Sequence, residues 1–245
     1  MVNKSESLRI TKFESIYDDK TLAGVNELYH IFLRDSVIPA CGGRSALELG
    51  CGKGLWTKIL CERYDSVDVV DGSSDLLRKV INHNVNCKAK LTGHLALVED
   101  FNPDNEKKWE HIYITFLLEH VLDPVSILKK VRNYLDKDGS IFLAVPNANS
   151  VHRIIAVRMG LIRDSTELSD NDKNVGHRRV YTLELLRNQI EGTGLRVKKE
   201  GFVGFKPLTL KQMANLTQEV VWAFCSAGDL AGENAAYLTM EVTHP

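Results

Sequence analysis

Between Ala46 and Val145 short apolar runs alternate with amphipathic stretches, and this alternation constrains the fold more than any other feature of the chain. Ala46-Leu47-Glu48-Leu49 reads as a strand that stops at Gly50, and Leu55 to Tyr64 as a helix with Leu55, Ile59 and Leu60 facing inward. Val67 to Val70 reads as a second strand ending at Asp71. Ser73 or Ser74 can cap the helix that follows, because a hydroxyl there accepts from an unpaired first-turn amide. Its inner face is Leu76, Leu77, Val80 and Ile81. Leu95 to Val98, His111 to Phe116 and Ile141 to Val145 read as three further strands, with a helix over Val125 to Leu135 before the last. Strands separated by helices run in one direction, so the pattern predicts an α/β fold: a doubly wound, mostly parallel sheet covered on both faces.

The flanks are less regular. Residues 1–20 are polar with scattered apolar positions, and Leu22, Val25, Leu28, Tyr29 and Phe32 then recur at helical spacing before Pro39 and Gly42-Gly43 break the pattern. Residues 147–180 lack clear periodicity and contain the polar run SDNDKN at 169–174. That is too long for an ordinary connection and reads as a lid or substrate-binding insertion. A helix capped by Thr182, a strand near Leu195–Phe202, a helix over 208–225 and a strand near Ala236–Val242 complete the chain. The expected organisation is one domain, 1–245, with an N-terminal helical cap at 1–40 and a lid at about 147–181.

Composition narrows the function. Lys and Arg number 31 and Asp and Glu 32, a balance unsuited to a protein whose affinity comes from neutralising a phosphate backbone. No apolar run approaches the ~20 residues of a membrane helix, and the first residues lack the apolar core of a signal peptide. Five cysteines, at 41, 51, 61, 87 and 225, form no C-x-x-C pair. A disulfide framework or structural zinc is therefore not expected, and a cytoplasmic setting fits.

The strongest chemical signal is Glu48-Leu49-Gly50-Cys51-Gly52-Lys53-Gly54, between a strand and a helix. Glycines there let a ligand approach the backbone, and the loop lies where open parallel sheets bind ligands. Alone it could be a plain turn. Asp71, 17 residues beyond Gly54, can accept from both hydroxyls of a ribose or can simply serve a turn. Asp100 and Phe101 stand where an adenine would lie, or in a solvated turn before Pro103. Three such features at the ends of three successive strands reinforce one another.

With these residues in place, the chain resembles the class I S-adenosylmethionine-dependent methyltransferases, in the group acting on oxygen and nitrogen atoms of small molecules. ALELGCGKG, VDVVDGS, LVEDF, YITFLLEHVLDP and GSIFLAVPN carry the likeness over about residues 44–147, and 177–202 carry it more weakly. The resemblance implies a seven-stranded sheet with its last strand antiparallel. It implies that Glu48 orients the glycine loop and the methionine amine, that Gly50, Gly52 and Gly54 lie against methionine and ribose, and that Asp71 holds the ribose with Ser73 just beyond. Asp100 and Phe101 would hold the adenine. Phe116, Leu117 and Glu119 would line the methionine end, and Tyr17 would close the pocket. The product would be S-adenosylhomocysteine.

A nicotinamide dinucleotide is the rival ligand, but its fingerprint is G-x-G-x-x-G, whereas this loop is G-x-G-x-G preceded by a glutamate that would repel a pyrophosphate. His120, at the end of strand four, and His177, after the lid, are candidate general bases, because imidazole has a reference pKa of ~6.5. Either can equally be a histidine satisfied at a helix entrance. Arg178 and Tyr181 are candidate substrate contacts. Asp170, Asn171 and Asp172 sit in one local run, which argues against a magnesium site, so no metal is expected. The segment after strand four lacks an N-P-P-Y-type motif, and no interleaved basic and aromatic surface marks a nucleic-acid partner. A small-molecule acceptor, no membrane partner and a monomer or homodimer are expected. The alternatives are a non-catalytic cofactor-binding subunit or a nucleic-acid or peptide methyltransferase.

Overall fold

The computed structural model describes residues 20–37, 42–104 and 106–245. A helix, α1 (Lys20–Val37), precedes the alternating series β1 (Gly43–Leu49), α2 (Leu55–Arg63), β2 (Tyr64–Asp71), α3 (Ser74–His83), β3 (Lys90–Leu95), β4 (Trp109–Thr115), α4 (Pro124–Arg132) and β5 (Leu135–Pro146). Then come α5 (Val151–Arg158), α6 (Asp170–Asn174), α7 (Leu183–Glu191), β6 (Arg196–Val203), α8 (Leu210–Met213), α9 (Gln218–Ser226), α10 (Gly228–Ala231) and β7 (Tyr237–Thr243). The strands form one sheet in the order β3-β2-β1-β4-β5-β7-β6. Strands β1 to β5 pair in parallel, and β7 inserts antiparallel between β5 and β6.

The two-residue period of a strand divides the core. Leu47 and Leu49, Ile112 and Ile114, and Leu143 and Val145 face one side, against Leu128 and Val131 of α4 and Leu186 and Ile190 of α7. Ala46, Tyr113 and Ala144 face the other, with Tyr29 and Leu33 of α1, Leu60 of α2 and Val221 of α9. The near-continuous apolar runs of the central strands follow from burial on both faces.

Three local expectations are corrected. The third strand is Lys90–Leu95, not 95–98, and pairs with Ser66–Asp71. It is an edge strand with Leu95 61% exposed, so polar residues suffice there, while Leu97 and Val98 are buried in the turn beyond. The polar run at 169–174 forms α6, because Ser169 and Asp172 make a capping box. The single helix expected over 208–225 is two, α8 and α9, with Thr209 and Thr217 as separate N-caps.

Candidate active site

The carboxyl ends of β1, β2 and β4 surround a cavity of about 340 Å³. The glycine loop forms its floor. Gly50, Gly52 and Gly54 have φ values of 78°, 50° and 79°, the left-handed region that disfavours side chains. A methyl group on Gly54 would come within 2.9 Å of Val80, whereas one on Gly52 would enter open space. Gly54 is thus needed to start α2 against α3, and Gly52 leaves bare backbone for a ligand.

Two buried carboxyls stand beside that loop. Glu48 is 1% exposed, and its Oε2 accepts from the Thr57 hydroxyl at 2.5 Å. Burial pushes its pKa up to about 8 against the opposing Thr57 hydrogen bond, with the Asp71 charge adding to the rise. Asp71 Oδ2 accepts from the backbone N–H groups of Cys51 (3.0 Å) and Gly52 (3.3 Å), and Oδ1 from that of Ser73 (2.8 Å). Burial raises its pKa, and those same hydrogen bonds oppose the rise. The Cys51 thiol also donates to Oδ2 at 3.4 Å, so that oxygen is filled by the loop, while Oδ1, with one donor, has a second lone pair for a ligand hydroxyl. Ser73 caps α3, its Oγ accepting from the Leu76 amide at 3.0 Å.

At the tip of β4, Phe116 is the one non-glycine residue with positive φ (53°) among the described residues, a conformation costing about 1–3 kcal/mol that clusters at functional sites. Its ring stacks on His30 of α1 at 4.0 Å and 7°, and meets Tyr237 edge-on at 4.9 Å. Burial first, then the Lys206 charge, pushes the His30 pKa down to about 3. Glu119 is 1% exposed, with Oε2 lacking a hydrogen-bond partner; burial pushes its pKa up to about 7, against the charge of His177. His120 lines the cavity, and its ring meets that of His177 at 4.8 Å, nearly perpendicular.

Of the residues singled out in the sequence, Glu48, Gly50, Gly52, Asp71, Phe116, Leu117 and His120 line the cavity. Gly54, Ser73, Glu119 and His177 stand just behind this lining, and Tyr17 lies outside the described residues. Asp100 and Phe101 occupy the turn beyond β3 outside the cavity lining, and Phe101 points its ring into the core, 6.0 Å from Tyr134 and 6.3 Å from Trp109. The cavity wall at that place is Leu97, Val98 and Glu99. Arg178 and Tyr181 are not part of the cavity lining either. Arg178 donates from Nε to the His120 carbonyl at 2.9 Å, and Tyr181 is fully buried, its hydroxyl donating to the Leu118 carbonyl at 3.3 Å. Both brace the β4 tip from behind.

Sequence reasoning missed the contribution of α1, whose Asn26 and His30, four residues apart and so on one helix face, reach the cavity. That spacing was the available signal. It also missed Trp56, a cavity residue whose buried Nε1 has no hydrogen-bond partner. A metal is not excluded by spacing: Glu119, His120 and His177 each offer one ligand atom within 4.8 Å of the others.

A family model described as a methyltransferase domain matches residues 31–200. The chain belongs to that methyltransferase family. Among curated relatives, this methyltransferase is 26% identical over 114 residues to a ubiquinone biosynthesis O-methyltransferase of Hydrogenovibrio crunogenus, covering 46% of this chain and 47% of the relative. It is 25% identical over 158 residues to that of Marinobacter nauticus, covering 64% and 66%. The alignments thus span about half to two thirds of those relatives. Among solved structures, an S-adenosylmethionine-dependent methyltransferase from Clostridium acetobutylicum superposes with a TM-score of 0.60 at 15% identity, covering 96% of this chain and 98% of that one. The N-methyltransferase NodS from Bradyrhizobium japonicum, in complex with S-adenosyl-L-homocysteine, gives 0.57 at 12% identity, covering 94% and 90%. These structural likenesses concern the fold alone.

Proposed function

We propose that this chain transfers the methyl group of S-adenosylmethionine to an oxygen or nitrogen nucleophile of a small molecule in secondary-metabolite biosynthesis, and does so in the cytoplasm without a metal. The observation that carries the reading is the cavity bounded by bare glycine backbone, Asp71 and buried Glu48. Gly52 leaves space where a side chain would stand, Asp71 retains acceptor capacity for a ribose hydroxyl, and Glu48 offers a latent negative charge to a cationic ligand.

The cofactor, when bound, supplies a methyl group already activated by a positive sulfur. The protein's task is then alignment and dehydration. Holding the reacting atoms ~3–3.5 Å apart in line contributes several kcal/mol. Phe116, Leu117 and His30 form the apolar, aromatic wall that excludes water near the β4 tip, and residues 147–181 serve as the lid, contributing Val175 to the cavity. His120, which lines the cavity, takes the acceptor proton, a contribution of about 10²–10⁴-fold in general-base catalysis. The cluster of Glu119, His120 and His177 is read as acid–base because His120 faces the cavity and His177 is paired with the Asp172 carboxylate. The ubiquinone relatives, named as O-methyltransferases, favour an oxygen acceptor.

The test is methyl transfer from labelled S-adenosylmethionine to pools of hydroxylated and amino metabolites, with and without chelator. Transfer that survives chelation and falls about 100-fold in His120→Ala, with cofactor affinity retained, supports the reading. Tight cofactor binding with no transfer to any pool would favour a non-catalytic binding subunit instead. Loss of transfer in chelator would overturn the metal-free mechanism.

A further inference from the structure

We infer that Asp172 is a positioning residue that acts through His177 on the cavity-facing His120, forming a carboxylate–imidazole–imidazole chain that runs from the lid to the tip of β4. The inference rests on the reading of His120 as general base. It concerns a residue that a sequence reading places only in a polar run, and it connects three elements: α5, α6 and the turn after β4.

The geometry at Asp172 is over-determined. Its Oδ1 pairs with His177 Nδ1 at 3.0 Å. Its Oδ2 accepts from Arg153 Nη1 at 2.8 Å, from the Ser169 amide at 2.9 Å and from the Ser169 hydroxyl at 2.6 Å. The His177 amide donates to the Asp172 carbonyl at 2.8 Å, closing the loop between them. Asp172 and Arg153 are 7% and 6% exposed. Burial alone would raise the Asp172 pKa, but the hydrogen bonds from His177, Ser169 and Arg153 outweigh it and hold the carboxyl well below its ordinary value. An ionised carboxylate only accepts, so His177 Nδ1 carries the hydrogen. In a neutral ring, the nitrogen then left with a lone pair is Nε2, on the opposite edge. Arg153 is anchored in turn, its Nε donating to the Ser165 carbonyl at 2.8 Å.

A surface capping box would need only Ser169 and Asp172. Here the capping carboxylate also fixes the tautomer and orientation of a histidine that lies edge-to-face with a second histidine on the cavity wall. This is the logic by which a buried carboxylate orients a catalytic imidazole. In the transfer step the bond from sulfur to methyl breaks as the bond from the acceptor oxygen to methyl forms. The sulfur keeps the electron pair of the broken bond and becomes a neutral thioether. The acceptor proton passes to His120, and the resulting positive charge is stabilised by the His177–Asp172 pair before the proton leaves to solvent.

Two readouts test this, one of which needs no acceptor. Long-range ¹H–¹⁵N spectra of the histidine rings, recorded with S-adenosylhomocysteine bound at a pH where the rings are neutral, are expected to show His177 as the Nδ1–H tautomer. His177→Gln identifies the signal. Asp172→Asn is expected to move His177 toward the Nε2–H tautomer while leaving S-adenosylhomocysteine affinity within about twofold by calorimetry. An Nε2–H tautomer in the wild type, or a tautomer indifferent to Asp172→Asn, overturns the inference. So does loss of S-adenosylhomocysteine binding in Asp172→Asn, which would mark a scaffold role. With a catechol as acceptor probe, Asp172→Asn should lower turnover about tenfold or more, and adding it to His177→Ala should cost nothing further. A further loss in the double variant would also mark Asp172 as scaffold. If His120→Ala retains full turnover, the base reading itself fails, while the tautomer experiment still decides the Asp172–His177 link.

Discussion

Glu48 makes the sharpest demand on the proposed cofactor. Buried at 1% exposure and accepting one short hydrogen bond from Thr57, it has a pKa pushed up by burial to about 8. At pH 7 a group with that value is ionised in about one molecule in ten. A ligand that places a positive amine or sulfur beside it favours the carboxylate, so binding at pH 7 should release close to one proton, about half a proton at pH 8 and little at pH 9. Affinity should then rise about ninefold from pH 6 to pH 7, about fivefold from pH 7 to pH 8, and level off above.

The assay is calorimetric titration with S-adenosylmethionine in two buffers of different ionisation enthalpy, where the difference in apparent heat counts the protons. Glu119, pushed up to about 7 by burial, could contribute protons of its own, so Glu48→Gln is the necessary control. In that variant the release tied to Glu48 should vanish and the pH slope flatten. Stability gives an independent check. The folded pKa of Glu48 lies above the unfolded one, so its stabilising proton is held fully below about pH 4.5 and lost as pH rises through about 8. Glu48→Gln should therefore melt higher than wild type at pH 9, with the gap closing toward pH 5. Undiminished binding with no proton release at pH 7 would refute the role given to Glu48.

Asp71→Ala should weaken S-adenosylmethionine binding at least tenfold, about 1.4 kcal/mol, because it removes both the proposed ribose acceptor and the anchor of the Cys51 and Gly52 amides; titration calorimetry measures it. Gly54→Ala should cost about 1–3 kcal/mol in chemical denaturation, since alanine must adopt φ 79° with its methyl 2.9 Å from Val80. Asp68→Ala should cost about 2–4 kcal/mol, because Asp68 accepts from His94 (2.7 Å), Lys107 (2.8 Å) and Trp109 (2.9 Å). Burial would raise the Asp68 pKa, but those partners outweigh it and lower it. Its contribution is therefore full above pH 3.8 and lost as pH falls through the lower folded value, which acid denaturation of wild type and variant would resolve.

What could be read in advance was local. Each central strand is buried on both faces, so its apolar run announces itself, and the glycine loop and Asp71 follow at fixed short distances from the ends of β1 and β2. The edge strand β3 was misplaced because Lys90, Thr92 and His94 need only one buried side. The same shift matters for Phe101: because β3 ends at Leu95, the turn presents Leu97 to Glu99 to the cavity and turns the Phe101 ring inward. The Asp172–His177–His120 chain was invisible because its members are separated by up to 57 positions and meet only through tertiary packing. Ser169-x-x-Asp172 was nevertheless legible as a helix start.

The segment from 178 to 181 shows why residue type alone misled. Strand β4 ends in an irregular turn, begun by the left-handed Phe116, whose carbonyls find no ladder to join. Buried carbonyls need donors, and this segment provides them. Arg179 donates to the carbonyls of Leu118 and Val121, both at 2.6 Å, and of Leu122 at 2.9 Å. Arg178 takes that of His120, while its own amide donates to the Glu119 carbonyl at 2.8 Å. Tyr181 joins the sheet through its bridge to Asn147. This basic segment holds the turn that carries Glu119 and His120 in place. His30 and Asn26 of α1 and Val175 beyond α6 face the cavity, and on the proposed function variants there should alter which acceptor is methylated before they alter how tightly the cofactor binds.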